Sequence, residues 1–325
     1  MLQSILKSVE FHKEKKEWLY QLKNATELAD RAEAVQALAK FKNDDDAVAA
    51  LSSALNTDKA WGLRDIAADA LGRIGNVVAG KQLLDALDAN TLPYVRDHIV
   101  SALGSVKDEP KVAAKLFVIA RDDASYRARA NALQSLGKLK APNALEVLTA
   151  AVSADSPDDF LRRAALRSLG YLGDEKGVPL LREWAAPGKA IETRQAAIAS
   201  LGRLEKGNKE ITAQIASYLT ESHYPVRHSA IYALGSRGDA SAIPALQALL
   251  KSDDLSIEMA PTVKQQIARL QKEENAKPAG GEEGDSEKSG DSNEQGVAQR
   301  LDRLEHLLQE MSDRLKSIES RLSQK

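Results

Sequence analysis

Apolar residues recur along most of the chain at the spacing of an amphipathic α-helix, in two alternating kinds of segment. The first kind includes DAVAALSSAL, PKVAAKLFVIA and SAIPALQALL, whose apolar residues follow one another at helical intervals. The second kind begins near an arginine, as in LRDIAADALGRIG at residues 63–75. Because helices shorter than about 12 residues are marginal in isolation, each segment is expected to bury its apolar stripe against its neighbours.

The arginine segments form an internal repeat with a period of 32 or 33 residues. Three positions after each arginine comes Ala or Ile, seven positions after it comes Leu, and eight positions after it comes Gly, or Ala39 in the first copy. The small residues let helices approach closely, the leucine fills the space between repeats, and the glycine is expected to end its helix in a left-handed conformation. The repeated arginines are Arg31, Arg64, Arg96, Arg129, Arg162, Arg194 and Arg227.

A period held over so many copies indicates a repeat protein. We therefore predict an all-α fold, a right-handed α-solenoid of about seven helix pairs over residues 26–271, closed by a helix near 256–271. Residues 1–25 are predicted to form a lead-in of a strand and a helix.

The helix pairs resemble HEAT repeats, in particular the short bacterial type also found in phycobilisome-lyase-like proteins. The front end resembles the C-terminal helical region of bacterial zinc aminopeptidases of the aminopeptidase N family. Its strand is matched by Ile5, Leu6, Lys7, Val9 and Phe11, and its next helix by Trp18, Tyr20, Gln21 and Leu22. No metallopeptidase domain precedes these residues, so this resemblance implies a non-catalytic part of such an enzyme.

The repeated arginine has two interpretations. In the structural one, it lies at the start of the second helix and fixes the preceding turn, where an acid stands six positions earlier in three copies (Asp58, Asp123 and Glu221). In the functional one, the arginines form a row that binds an acidic ligand. We favour the structural interpretation, because a residue fixed in every repeat usually serves packing.

The positions one and five after each arginine vary between copies and are expected to face solvent. They are acidic in the N-terminal half, basic further on and then aromatic, which favours a groove that binds a peptide or protein segment. The candidate groove residues are Asp65, Asp69, Asp97, Gln134, Arg163, Arg167, Gln195, His228 and Tyr232.

Composition and motifs exclude several other classes. The formal net charge is −2, there is no cysteine, and there is no long apolar run, so we predict no nucleic-acid partner, no disulfide and no membrane span. A cytoplasmic bacterial protein is favoured, with an extracytoplasmic one possible if an upstream region is missing. A His-Glu-x-x-His helix, a phosphate loop and a nucleophile elbow are absent from the sequence, so no catalytic, cofactor-binding or metal-binding residue is assigned.

Four weaker features receive structural interpretations. His223 and His228 are read as a turn followed by a helix start, the carboxylates of residues 44–46 as a helix cap, and the Arg-Gly-Asp sequence at 237–239 as a turn. The tryptophans at 18, 61 and 184 are read as packing between helices rather than as interface anchors.

The C-terminal part differs in composition. Residues 272–296 are acidic and rich in Gly and Ser, which predicts a disordered linker. Residues 297–325 follow a heptad pattern that predicts a coiled coil. Two segments, RLDRLE and RLKSIE, resemble a signature of parallel trimers, so we predict a homotrimer, with a tetramer second. The oligomerisation residues are Leu301, Leu304, Leu308, Met311, Leu315, Ile318 and Leu322, flanked by Arg300, Glu305, Arg314 and Glu319.

These features together predict a non-catalytic HEAT-repeat scaffold for protein–protein interaction, oligomerised through its C-terminus. One alternative is the non-catalytic region of a zinc aminopeptidase. A lyase-like HEAT protein is the second alternative.

Overall fold

The computed structural model describes residues 14–89, 92–107, 109–204, 207–252 and 255–275, all within one compact unit, Met1–Lys277. These residues form α-helices joined by short turns and contain no strand, which confirms the all-α prediction. The predicted coiled coil, and the predicted linker from residue 276 onward, lie outside the described residues. The prediction that the linker begins at residue 272 is wrong, because residues 272–275 form the last turn of a helix that ends at Asn275. Helix α1 is described over residues 14–24. The helices that follow are α2 (Leu28–Leu38), α3 (Asp45–Thr57), α4 (Trp61–Ile74), α5 (Val77–Ala89), α6 (Pro93–Leu103), α7 (Pro110–Asp122), α8 (Tyr126–Lys138), α9 (Ala144–Val152), α10 (Phe160–Leu172), α11 (Val178–Ala185), α12 (Ile191–Leu201), α13 (Lys209–Ser217), α14 (Tyr224–Arg237), α15 (Ile243–Leu250) and α16 (Ala260–Asn275).

The helices form two layers of an α-solenoid. Every even-numbered helix from α2 to α16 contacts the next even-numbered helix, and from α4 onward each also packs against the odd-numbered helix before it. Contacts between successive odd-numbered helices are sparser after α5. We call the even-numbered helices the inner layer. Each repeat therefore contacts mainly its own pair and its neighbours, as the repeated sequence predicts.

Helix pairs complete both ends of the stack. Helix α1 packs on the first repeat, where Leu22 is buried and the Gln21 Nε2 donates to the Asp30 carbonyl at 2.8 Å. At the other end, α15 and α16 form an eighth pair. Helix α16 begins at Ala260, later than the predicted 256, because Pro261 suits the first turn of a helix and residues 257–259 form a turn before it.

The repeated glycines allow the inner helices to approach one another closely. A Cβ on Gly137 would lie 2.6 Å from the Ser168 carbonyl oxygen, and a Cβ on Gly170 would lie 2.8 Å from the Cα of Ser200. Ser168 and Ser200 each stand six positions after the arginine of the next repeat, and this position is Ala or Ser in every copy. The glycine and this second small residue together set the spacing of the inner layer.

The prediction that the repeated glycine ends its helix in a left-handed conformation is wrong. Gly104 and Gly202 have φ of −66° and −64°, and the other copies lie inside helices, which run on for one or two further residues. In three repeats the left-handed end comes three residues later, at Gly75, Gly173 and Gly238, with φ of 65°, 73° and 68°. Interhelical contact, rather than a helix end, requires the repeated glycine.

Candidate functional site

The repeated arginines fix the turns between the two helices of a repeat, as the structural interpretation predicts. The Nε of Arg129, Arg162 and Arg194 donates to the carbonyls of Ala120, Val152 and Ala185, at 3.2, 2.7 and 3.0 Å. These carbonyls lie at the end of the preceding outer helix, where the helix itself supplies no donor. Arg31 and Arg194 are buried. Their guanidinium groups are engaged in packing, which disfavours a ligand-binding row of arginines.

The acids that stand six positions before an arginine pair with a different arginine from the one that the sequence suggested. Each forms an ion pair with the arginine of the preceding repeat, 27 residues earlier. Asp58 lies 3.1 Å from Arg31, Asp123 lies 2.9 Å from Arg96, and Glu221 lies 2.5 Å from Arg194. These acids therefore link successive repeats. Each acid lies between two repeated arginines, 27 residues after one and six residues before the next. Spacing in the sequence alone does not show which of the two arginines it contacts.

Arg194 is the most buried of the three paired arginines. The Arg194 side chain is 4% exposed and that of Glu221 is 19% exposed. Both Glu221 oxygens accept from the guanidinium, and this hydrogen bonding lowers the pKa of Glu221 below its ordinary value.

The predicted groove positions lie on the inner layer, but they do not all face solvent. The position five after the arginine is exposed or half-buried, as in Asp69, Gln134 and Arg167. The position one after it is buried in Asp65 and Asp97, which are 6% and 5% exposed, so the prediction of a solvent-facing position is wrong there. Of the remaining candidates, Arg163, Gln195 and His228 are half-buried, and Tyr232 is exposed.

The two buried carboxyl groups differ in their partners. Arg127 of α8 lies over Asp97, with Nε 3.1 Å from Oδ2. The Asp65 Oδ1 is buried and has no hydrogen-bond partner among the described residues. Burial raises the pKa of both carboxyl groups. Arg127 lowers the pKa of Asp97 and His98 lowers that of Asp65, but the effect of burial is larger.

Aromatic side chains begin several of the inner helices and are exposed, which the sequence interpretation missed. Trp61 is 60% exposed and meets Tyr94 of the next inner helix edge-on, with ring centroids 5.1 Å apart. Trp61 therefore packs against the next helix, as predicted, but most of its surface stays exposed. Tyr126 and Tyr224 hold the equivalent position in later repeats and are 43% and 45% exposed. The signal in the sequence was an aromatic residue two or three positions before the repeated arginine.

The other two tryptophans are half-buried against the core. Trp184 lies beneath the guanidinium of Arg162 and the Nζ of Lys189, at 4.4 and 4.2 Å from the ring centre. Trp18 of α1 packs at the edge of the core. These two residues agree with the packing interpretation.

A basic cluster lies on the inner layer where α8, α10 and α12 meet. Arg163, Arg167 and Tyr171 follow one another at intervals of one helical turn on α10. The guanidinium of Arg203, just after α12, lies 4.9 Å from the centre of the Tyr171 ring, and the Nζ of Lys138, at the end of α8, lies 5.9 Å from it. We call these five residues the basic cluster.

The charges of the basic cluster act on one another. Desolvation, together with the charges of Arg163 and Arg203, lowers the pKa of Arg167 from its ordinary value, although Arg167 stays exposed. The Arg163 Nε is buried and has no hydrogen-bond partner among the described residues. No ion pair joins Arg163, Arg167, Arg203 or Lys138 to a carboxylate in the described part of the chain.

The weaker motifs have structural roles. Asp44 accepts from the Ala47 N–H at 3.0 Å, which confirms the predicted helix cap. Arg237 is fully buried at the end of α14, with Nε 2.7 Å from the Thr212 Oγ1, and Gly238 turns the chain, which confirms the predicted turn. His228 stacks between Tyr224 and Tyr232, with centroid distances of 5.8 and 4.7 Å.

The described residues also lack two further classes of site. They contain no group of three or more His, Cys, Asp and Glu side chains able to hold a metal ion. None of the described helices has the length and apolar character needed to span a bilayer.

Paired helices, a repeated interhelical glycine and repeated arginines define the class of this protein. The chain matches HEAT repeats over residues 16–104, 113–202 and 186–260, and it belongs to this family.

Among particular proteins, it is similar to phycocyanobilin lyase subunit alpha of Picosynechococcus sp., with 31% identity over 145 residues. The match covers 40% of this chain and 53% of that protein, so the chain spans about half the length of this curated relative.

Two solved structures are similar to the chain. One is the complex of CpcE and CpcF of phycocyanin lyase from Nostoc sp., at 21% identity and a TM-score of 0.39, covering 79% of this chain and 94% of that one. The other is lipovitellin, at 13% identity and a TM-score of 0.51, covering 83% of this chain and 33% of that one. The likeness to lipovitellin shows the fold alone.

The resemblance to aminopeptidases stays a prediction. The matched strand residues Ile5 to Phe11 lie outside the described residues, and the matched residues Trp18 to Leu22 form part of α1.

Proposed function

We propose that this protein is a non-catalytic interaction scaffold whose inner layer binds a segment of another polypeptide. The observation that carries this proposal is the contrast between neighbouring repeats on the exposed side of the inner layer. Asp69, Gln134, Arg167 and Tyr232 occupy the same repeat position and are chemically different, although the buried side of the same helices is nearly constant. A surface that varies while its support is constant is typical of recognition.

The exposed side chains offer contacts for an extended polypeptide. Trp61 and Tyr94 present large aromatic surfaces, which suit apolar side chains and are common in interface hot spots. The acidic residues of α4 and the basic cluster supply charges of opposite sign at different points along the layer.

Site-specific photo-crosslinking would test the proposal. A photoreactive amino acid is placed at Asp69 or Tyr232 on the inner layer, and at the exposed Lys81 or Glu146 on the outer helices as matched controls. We expect crosslinks to one defined polypeptide from the inner positions alone. Crosslinks of equal yield from the outer positions, or from neither set, would contradict an inner binding surface.

A second candidate function is that of a lyase-like HEAT protein, which the identity to phycocyanobilin lyase subunit alpha favours. In that case the purified chain should bind phycocyanobilin and change its visible absorption spectrum. A spectrum that is the same with and without the chain, at saturating protein, would contradict this candidate.

The C-terminal residues 297–325 are proposed to join chains into a homotrimer through Leu301, Leu308 and Leu315 and their heptad partners. Tethered copies raise the effective concentration of weak binding surfaces. Light scattering should give a trimer mass for the full chain and a monomer mass for a Leu308→Asp, Leu315→Asp variant. A monomer mass for the unmodified chain would contradict the proposal, and a tetramer mass would correct it.

A further inference from the structure

We infer that the basic cluster is an anion-binding site that receives a carboxylate-rich stretch of the partner polypeptide. This inference rests on the proposed function and specifies the chemistry of the bound segment. It is carried by four cationic side chains from three neighbouring repeats, two of which, Lys138 and Arg203, lie beside the Tyr171 ring.

The geometry of the cluster favours oxyanions. The Arg203 guanidinium and the Lys138 Nζ are held beside the Tyr171 ring, at 4.9 and 5.9 Å from its centre. The Arg203 Nη1 also donates to the Ala199 carbonyl at 3.4 Å, which leaves the remaining donors of this guanidinium for a ligand. Arg163 and Arg167 add two guanidinium groups, whose planar forks match a carboxylate with paired hydrogen bonds.

The cations of the cluster also lack the carboxylate partners that several other arginines of the inner layer have. Arg31, Arg96 and Arg194 each have an acid from the next repeat, whereas the four cations of the cluster have no ion-pair partner among the described residues. The buried Arg163 Nε lacks a hydrogen-bond acceptor as well. An incoming carboxylate would therefore supply the opposing charge that the described residues do not give these four side chains.

The surroundings of the cluster favour a short acidic peptide over a nucleic acid. Three repeats before α10, the same layer carries Asp65 and Asp69 on α4. Neighbouring helix axes lie about 8–10 Å apart, so a uniform polyanion that follows the layer would meet these carboxylates within a few nanometres. A polypeptide can end its acidic stretch before that point, and the net charge of −2 supplies no wider attraction for a nucleic acid.

Fluorescence anisotropy with a labelled peptide of consecutive glutamates tests the inference on the full chain. We expect binding that weakens as salt is raised, and an affinity at least about tenfold lower for Arg163→Glu, Arg167→Glu. Lys81→Glu, Lys111→Glu is the matched control, since it changes the net charge equally on the outer helices and should bind the peptide as the unmodified chain does. The variant Arg167→Gln, Arg203→Gln changes more accessible residues and covers the case in which the first variant fails to fold.

Three results would overturn the inference. One is an equal loss of affinity in the control variant, since the attraction would then be non-specific. Another is equal binding of a lysine peptide. The third is tighter binding of a DNA duplex of the same charge with the same sensitivity to these variants. Failure of glutamate binding leaves the crosslinks from Asp69 and Tyr232 unaffected, so the wider proposal of an inner binding surface is tested separately.

Discussion

The inner helices have two sides that differ in how much they vary between repeats. On the buried side, every repeat presents an arginine, a leucine and small residues at the same positions, and each helix meets a near copy of itself. On the exposed side, the corresponding positions hold Asp69, Gln134, Arg167 and Tyr232. Packing between repeats requires side chains of the same shape in every repeat, whereas positions that face solvent can vary. Packing substitutions should therefore change stability, and exposed substitutions should change binding.

The largest loss of stability is expected for Arg194→Ala. The substitution removes a buried cation and leaves the Glu221 carboxylate and the Ala185 carbonyl without their donor. Breaking such a pair from one side costs about 3 kcal/mol, which urea denaturation followed by circular dichroism would measure. Arg129→Ala serves as the control, because Arg129 has Ser156 instead of an acid 27 residues later. An equal loss in both variants would show that the link between repeats contributes nothing.

The next largest loss is expected for Gly137→Ala. A Cβ there would lie 2.6 Å from the Ser168 carbonyl oxygen, and the backbones of α8 and α10 must move apart at a cost of about 1–3 kcal/mol. Gly62→Ala is the matched control, since Gly62 is also helical and has no heavy atom within 4 Å of the added methyl group. It should stabilise the protein by about 0.5–1 kcal/mol. Thermal unfolding of both variants would measure the difference, and equal destabilisation would contradict the role assigned to Gly137.

The regular spacing of the repeats made the fold predictable, but it did not predict which residues the repeated residues contact. The period, the pairing of helices and the burial of the repeated leucine all follow from one-dimensional spacing. The contact of Gly137 with Ser168 depends on how two helices cross, and the pairing of Asp58 with Arg31 crosses between repeats. Neither contact can be predicted from spacing, because every repeat has the same residue types at the same positions and the sequence does not show which repeat supplies the partner.

The candidate site was predictable only in its location on the inner layer. The sequence analysis selected the positions one and five after each arginine. It predicted that both face solvent, because they lie one helical turn apart on the same side of the helix. Asp65 and Asp97 are nevertheless buried, and Arg127 of the following inner helix pairs with Asp97. Trp61 was assigned to packing because tryptophan is generally buried, although its place at the start of an inner helix leaves it exposed.

The carboxyl groups of Glu221 and Asp65 should also differ in their response to pH. The pKa of Glu221 is lowered by Arg194, so its contribution is full above the pKa of the unfolded chain and is lost as the pH falls through the folded value. The pKa of Asp65 is raised by burial, so its ionised form destabilises the fold, and this penalty disappears as the pH falls.

Glu221→Gln should accordingly lower stability at neutral pH, and Asp65→Asn should raise it by roughly 1 kcal/mol. Both differences should vanish once the pH is low enough to protonate both carboxyl groups in folded and unfolded chains. Urea denaturation across a pH series would check the signs. Changes of the same sign in the two variants would contradict the assignment of opposite roles.

The smallest effect on stability is expected for Asp69→Asn. Its side chain is 57% exposed, and its nearest opposing group, the His98 Nδ1, lies 3.8 Å away, so the free energy of unfolding should change by less than about 0.5 kcal/mol. Binding of the polypeptide crosslinked at Tyr232 should nevertheless weaken severalfold, as titrated by anisotropy at low salt. The outer substitution Glu146→Gln removes one exposed carboxylate as well and should change neither quantity. If Asp69→Asn instead changed stability and binding together, the exposed side of the inner layer would be part of the packing, and the separation between the two sides would fail at that position.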